Sequence, residues 1–351
     1  MNLLQDMIGS IEDPDQAVMQ DVRERWNRIA KPLHSLGELE DLIVQIAGIQ
    51  RTARIDIEKR AVIEFCSDNG VVKEGVTQTG QEVTAIVSEN FKTGNTCACA
   101  MARRANVDLF PFDFGICRDT TVCADHKIAY GTANMAEGPA MTRDMALMGL
   151  LEGMSIAREM HEKGYRILAH GEMGIGNTTT SSAVSSVLLC EETEKMTGRG
   201  AGLPDEGLAR KIQVIKKAIE VNRPDPKDPV DVLSKVGGFD IAGMAGLVLG
   251  GALYRMPVVM DGFISLTASL IAVRICPEAA AYLIPSHVSK EPAAELLLRE
   301  LKKDAMVHGG MFLGEGTGAI ALFPLLDLAQ AVYSEMSTFD DIAVEQYEDY
   351  Q

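Results

Sequence analysis

Between about residue 60 and residue 325, short β-type runs alternate with longer stretches of helical periodicity, and this restricts the fold more than any other feature. Strands separated by a helix cannot form tight hairpins, so they pair in parallel, with helices covering the sheet. The candidate strands are Ala61–Cys66, Val107–Phe112, Tyr165–His170, Pro257–Met260 and Ala281–Pro285. Each is followed by a loop rich in Gly, Asp, Asn or Ser, and an open α/β sheet binds its ligands outside the carboxyl ends of its strands. Asp15–Ala30 and Glu38–Ile49 read as helices separated near Pro32, and the acidic tail from about Leu325 to Gln351 also reads as helical. Helicity is interrupted at Asn222–Asp228, which holds Pro224 and Pro226.

The chain has 351 residues, 46% of them hydrophobic and 24% charged, enough to bury an extensive core without a staple. Its formal charge of −17 would repel a phosphate backbone, so nucleic acid is not an expected partner. A small anion remains possible, because helix N-termini bind phosphate locally whatever the global charge. The seven cysteines are scattered, with no CxxC pair and no zinc spacing, which suits a reducing compartment and predicts no metal site. MNLLQDMIGSIEDPDQ lacks a basic leader and a long apolar run, and the apolar tract Ile241–Ala272 is broken by Arg255 and Asp261. A cytoplasmic protein that spans no membrane is expected.

Three glycine-rich stretches stand out. Gly171-Glu172-Met173-Gly174-Ile175-Gly176-Asn177-Thr178-Thr179-Thr180 follows a strand and opens the helix Ser181–Leu189. Glycines allow close backbone approach, the helix dipole favours an anion, and Asn and Thr add donors, so the stretch reads as a phosphate cradle. It is neither a Walker loop nor a dinucleotide fingerprint. A valine at Gly176 is expected to block the ligand more than it harms the fold. Gly198-Arg199-Gly200-Ala201-Gly202-Leu203-Pro204 precedes a helix basic at Arg210, Lys211, Lys216 and Lys217. It reads either as an ordinary solvated helix start or as a second loop closing over a nucleotide. In the third stretch, His308 to Ala319, Glu315 is a lone carboxylate among glycines, preceded by Met311, Phe312 and Leu313. Partial burial of such a carboxylate costs free energy, which points to function.

Other strand ends give weaker signals, because Asp and Ser also cap helices. Asp261 could accept hydrogen bonds from ribose hydroxyls, and Ser286 opens Ser286-His287-Val288-Ser289-Lys290. Ser67-Asp68-Asn69-Gly70 and Gln81-Glu82-Val83-Thr84 are of the same grade, and His170 and His308 read as structural histidines.

Taken together, Ser67–Gly70 with Gly75–Thr84, Gly171–Thr180, Asp261–Gly262 and Gly309–Ala319 resemble the nicotinate-nucleotide:dimethylbenzimidazole phosphoribosyltransferase (CobT) family over roughly residues 20–330. The most specific pieces are GEMGIGNTTT and GEGTGA. The resemblance implies a homodimeric enzyme with a Rossmann-like α/β domain, residues 61–324, and a small helical domain from both chain ends, residues 1–60 with 325–351. It implies Glu315 as the catalytic carboxylate and places Glu172 in the stretch that holds the mononucleotide, where Glu172, Asp261 or another acid is the further catalytic candidate, supplying negative charge to the ribose. Met173, Gly174, Ile175, Gly176, Asn177, Thr178, Gly200, Gly202, Pro204, Asp261 and Ser286 are the expected nucleotide contacts, and Ser67, Gln81 and Leu313 the expected base contacts. The substrates implied are nicotinate mononucleotide and a benzimidazole-type base, with no cofactor. Thr77-Gln78-Thr79-Gly80-Gln81 departs from the family's Val-Ser-x-Tyr/Phe-Pro-Gln pattern, which points to an altered base pocket.

The chemistry of such a transfer asks for one base. Nicotinate leaves from a pyridinium nitrogen and needs no acid, whereas an attacking benzimidazole must lose its N–H proton, which a glutamate with an ordinary pKa of about 4.3 can accept. Two other readings stay open: a binder of nucleotide or cobamide precursor without turnover, which has no need of Glu315, and an oxidoreductase, which would want the missing G-x-G-x-x-G.

Overall fold

The structure, a computed structural model, describes residues 2–348, so the last three residues of the expected helical tail lie outside it. The N-terminal part forms α1 (Asn2–Ile8), α2 (Gln16–Arg28) and α3 (Glu38–Gln50), then β1 (Arg60–Ser67), α4 (Glu82–Thr93), α5 (Cys97–Ala105) and β2 (Asp108–Gly115). The middle part forms α6 (Arg143–Glu162), β3 (Ile167–Met173), α7 (Asn177–Leu189), α8 (Thr193–Met196), α9 (Asp205–Asn222) and α10 (Pro229–Val236). The remainder forms α11 (Phe239–Leu253), β4 (Val258–Met260), α12 (Phe263–Ile275), β5 (Leu283–Pro285), α13 (Ala294–Glu300) and α14 (Thr317–Glu335).

All strand pairings are parallel, in the order β2-β1-β3-β4-β5. The sheet is Rossmann-like, with helices on both faces, and β1 is buried along its whole length, as a central parallel strand should be. Alternate residues serve opposite layers. Ala61, Ile63 and Phe65 enter the cluster formed with α6, α7, α11 and α12, while Val62 and Cys66 enter the one formed with α2, α3, α5 and α14. The strand order reverses between β1 and β3, which opens a crevice at their carboxyl ends.

Two features fix α14. Arg60, at the start of β1, makes a bidentate pair with Asp327 at 2.5 and 2.9 Å. The helix is also long and apolar enough to cross a membrane by length and composition, yet Ala319, Ile320, Leu322, Phe323 and Leu326 are buried in the core.

The helical reading of the tail holds as far as Glu335 and again in one 3-10 turn, Asp340–Ile342. Beyond Glu335 the chain turns extended and ties to the end of α2, with the Ala30 N–H donating to Ser337 O at 3.0 Å and the Phe339 N–H to Arg28 O at 2.9 Å. Residues 343–348 are exposed and carry no regular structure. An acidic stretch with no apolar stripe to bury has nothing to hold a helix in place.

Candidate active site

The site is assembled at the carboxyl ends of β3, β4 and β5. As β3 ends, Glu172 turns into the interior and accepts a hydrogen bond from the amide of Asn177, the first residue of α7. The loop between them is held to α4 by the Ile175 N–H, which donates to Thr84 Oγ1 at 3.1 Å. Gly176 has φ +96°, a left-handed conformation that suits glycine. A methyl group there would meet Val72 Cγ2 at 2.9 Å and Asn69 Cβ at 3.3 Å, and one at Gly174 would run into the Ser67 carbonyl. These glycines let two parts of the chain approach each other. A side chain at Gly176, expected to stand where the ligand approaches, meets Val72 and Asn69 in the structure.

Glu315 stands on a turn in which Gly314, Glu315 and Gly316 have φ of +84°, +55° and +61°. A glutamate in left-handed backbone costs free energy and persists only where surrounding contacts enforce it. Here they do. Glu315 Oε2 accepts from the Ala98 N–H, in the first turn of α5, at 3.3 Å, and the turn leads directly into α14. Asp261, just past β4, accepts from the Gly318 and Ala319 N–H groups at 2.7 and 3.2 Å and so caps α14. That oxygen, expected to serve ribose hydroxyls, is spent on the helix that carries Glu315. Ser286 is buried with its hydroxyl 3.1 Å from His287 Nδ1.

The cleft beside Glu315 encloses about 220 Å³ and is walled by Glu172, Asp261, Glu291 and Glu315, with Phe263, Ile264, Phe312 and Leu313 supplying apolar surface. Burial raises the pKa of Glu315; the Ala98 N–H opposes that shift and the charge of Asp261 adds to it. Glu172 is pushed well above the ordinary carboxylate range, by burial first and then by the charge of Asp240.

A second chamber lies beside the first and shares Gly174, Ile175, Asn177, Thr178 and Ala201 with it as lining. Its notable group is Lys211, which is fully buried and donates to Thr178 Oγ1 at 2.8 Å and to the Gly198 carbonyl at 3.2 Å. Burial pulls its pKa down to about 8, against the charge of Glu291. Glu291 accepts from the Gly200 N–H at 3.1 Å, while its Oε2 has no partner.

Of the expected site residues, Glu172, Met173, Gly174, Ile175, Asn177, Thr178, Gly200, Asp261, Leu313 and Glu315 line the first chamber and Gly176 the second. The others stand off. Gly202 accepts from the Gln78 amide, Pro204 sits at the N-cap of α9, and Gln81 reaches back to the Asn69 carbonyl at 3.3 Å. The Ser67 hydroxyl is buried without a partner. Thr77, Gln78 and Thr79 border the Lys211 chamber, away from Leu313. Lys211, Glu291 and a buried Glu64 on β1 were not singled out from sequence. Lys211 occupies the buried stripe of α9 with Val214, Ile215 and Ala218, and a lysine at such a position is a signal a helical wheel shows.

Comparison with known proteins shows the family. A phosphoribosyltransferase family model, DBI_PRT, matches residues 11–344. The nicotinate-nucleotide–dimethylbenzimidazole phosphoribosyltransferase of Acetivibrio thermocellus is 46% identical, over 97% of this chain and 98% of its own. The enzyme of that name from Clostridium acetobutylicum is 44% identical over 98% of each chain. The crystal structure of CobT from Thermus thermophilus superposes with a TM-score of 0.89 at 35% identity, covering 94% of this chain and all of that one. With its parallel sheet, its glycine-flanked Glu315 and matches along nearly its whole length, the chain belongs to the nicotinate-nucleotide–dimethylbenzimidazole phosphoribosyltransferase family.

Proposed function

We propose that the protein transfers ribose 5-phosphate from nicotinate mononucleotide to 5,6-dimethylbenzimidazole or a related base, releasing nicotinate and forming α-ribazole 5′-phosphate for cobamide assembly. One observation carries the reading: a partly buried carboxylate, Glu315, lines one cavity with the apolar Phe312 and Leu313, and a neighbouring cavity that shares Asn177 and Thr178 with it is lined by a buried ammonium, Lys211.

In the transfer, one benzimidazole nitrogen attacks ribose C1, the bond from C1 to the pyridinium nitrogen breaks, and its electron pair neutralises the leaving ring. The other benzimidazole nitrogen gives its proton to Glu315. The raised pKa of Glu315 makes it a better proton acceptor than an exposed glutamate, because proton-transfer efficiency follows basicity near the working pH. Positive charge developing on the ribose meets Asp261, which lines the same cavity, while Glu172 beside it is held toward its neutral acid by burial. The phosphate suits the other chamber, where Lys211 and Thr178 stand at the first turn of α7.

A homodimer in the cytoplasm completes the reading. It rests on the family resemblance and on seven cysteines, none of them in a disulfide. Light scattering tests the dimer. Incubation with nicotinate mononucleotide and dimethylbenzimidazole should yield nicotinate and the ribosyl-base phosphate in equal amounts. A folded protein that binds both substrates and releases neither product would leave only a binder.

A further inference from the structure

β1 carries a carboxyl group in the middle of an apolar run. Glu64 lies between Ile63 and Phe65, is fully buried, and neither of its oxygens has a hydrogen-bond partner. Its head occupies space left by two glycines on neighbouring segments. A methyl group at Gly171 would lie 2.5 Å from Glu64 Oε1 and 2.5 Å from the Gly316 nitrogen, and one at Gly316 would lie 3.1 Å from Glu64 Oε1. On the other flank of the turn, a methyl at Gly314 would collide with Glu172 Oε1. The turn presenting Glu315 therefore rests on two carboxyl heads, Glu172 against Gly314 and Glu64 against Gly316.

We propose that Glu64 is a positioning residue for the transfer described above: its carboxyl head wedges the Gly314–Gly316 turn against β3 and thereby fixes where Glu315 is presented. The role rests on that reaction. Its working form is the neutral acid, favoured first by burial and then by the charges that face it: Glu172 from β3, Glu315 from the turn, Asp261 from the end of β4 and Cys99 from α5. Arg60, the cation on the same strand, is committed to Asp327. A neutral head supports the turn, whereas an ionised one repels Glu172 and Glu315 together. The support is present at low pH and is lost as pH rises through the raised pKa of Glu64, so the loss shows as an alkaline fall in kcat. Loss of the proton from Lys211 acts on nucleotide binding and shows in KM, which separates the two.

Two substitutions in the full chain test this. Glu64→Gln keeps size and neutrality, and Glu64→Leu removes the polar head. With nicotinate mononucleotide and dimethylbenzimidazole, Glu64→Gln should keep kcat near neutral pH and lose the alkaline fall. Glu64→Leu should lower kcat on the order of 10²-fold with the nucleotide KM unchanged, the size of effect a misplaced catalytic group produces. Wild-type kcat in a folded Glu64→Leu protein, or an unchanged alkaline fall in Glu64→Gln, overturns the proposal. Should Glu64→Leu not fold, the pH profile of Glu64→Gln decides alone. Thermal unfolding supplies a readout that needs no activity. An unfolded glutamate titrates near ~4.3 and the buried one higher, so the wild type should lose stability relative to Glu64→Gln as pH rises between those values. A pH-independent difference in melting temperature overturns the neutral-acid role. An inactive wild type that still shows the pH-dependent difference overturns the reaction instead.

Discussion

At the Glu315 end of the cleft, carboxyl groups share a wall that no lysine or arginine lines; at the Thr178 end, a buried ammonium faces glycine-rich backbone. Burial acts on both ends and moves them in opposite directions, raising the pKa of Glu172 and Glu315 and lowering that of Lys211 to about 8. In the proposed reaction one end thus accepts a proton and faces a cation, and the other holds an anion. A ligand lying across both must be positive at its reacting ring and negative at its tail. A pyridinium ribonucleotide has that polarity.

The largest effect is expected at the proton acceptor. Glu315→Gln should keep the fold and the nucleotide affinity while lowering turnover by about 10²- to 10⁴-fold, the usual cost of losing a general base. Steady-state kinetics beside calorimetry checks both parts, and near-normal turnover would remove Glu315 from the mechanism. The wild-type pH profile carries the same assignment. Glu315 works as the carboxylate, so kcat/KM for the base should fall on the acid side at a pH above the ordinary glutamate range, because burial raises its pKa.

Next comes the opposite end. Lys211→Met keeps the buried stem and removes the charge, and should weaken nucleotide binding about 10- to 150-fold, the value of a hydrogen bond to a charged group. Lys211 binds as the cation, so wild-type affinity should be full below pH about 8 and decline above it. Lys211→Met should abolish that decline. Unchanged affinity in the variant would dissolve the contrast between the two ends.

Gly176 sharpens the comparison differently, because it lines the Lys211 chamber while its missing side chain would face the protein. With φ +96° and Val72 Cγ2 2.9 Å from where a methyl would stand, Gly176→Val strains the protein itself. A loss of about 1–3 kcal/mol of stability is expected, within the cost of a misplaced left-handed residue. Denaturant titration would show it, and the protein that stays folded should still bind nucleotide. A stable variant that no longer binds would restore the idea that this position faces the ligand.

Much of this was legible in the sequence, for reasons that differ by element. All five strands show as short apolar runs because both faces of a parallel sheet are covered. Their ends were misjudged where polar residues continue the strand. β2 runs on through Asp113, whose charge is met inside by Lys127 at 3.0 Å, and β3 runs on through Glu172. Glu315 was visible because glycines isolate it. Lys211 was not singled out, because its exposed neighbours Arg210, Lys216 and Lys217 make α9 look like an ordinary basic surface helix. Glu64 was passed over inside an apolar strand, although a charge buried on both sides is itself the signal. The pairing of residues 337–339 with the end of α2 is a long-range contact that no local pattern announces.

The smallest effect concerns which base is accepted. Phe312 and Leu313 at the rim are 56% and 55% exposed, so an acceptor ring lying there leaves part of its edge in water. An apolar surface distinguishes a ring methyl by only about 1–3 kcal/mol, and an open one sits at the low end of that range. Benzimidazole, 5-methylbenzimidazole and dimethylbenzimidazole should therefore react with specificity constants within roughly 200-fold of one another. Leu313→Ala should narrow that spread further. The polar segment Thr77–Gln81 is the alternative source of selectivity, but the side chains of Thr77, Gln78 and Gln81 are engaged elsewhere. The Thr77 hydroxyl donates to the Thr79 carbonyl at 2.8 Å, and the Gln78 amide donates to the Gly202 carbonyl. Competition among equimolar bases checks the division of labour. A preference of about 10⁴-fold or more for one hydroxyl- or amino-bearing base is what a hydrogen-bonding pocket produces. That outcome would move base selection to Thr77–Gln81 and break the assignment of the apolar rim to the base and the buried lysine to the phosphate.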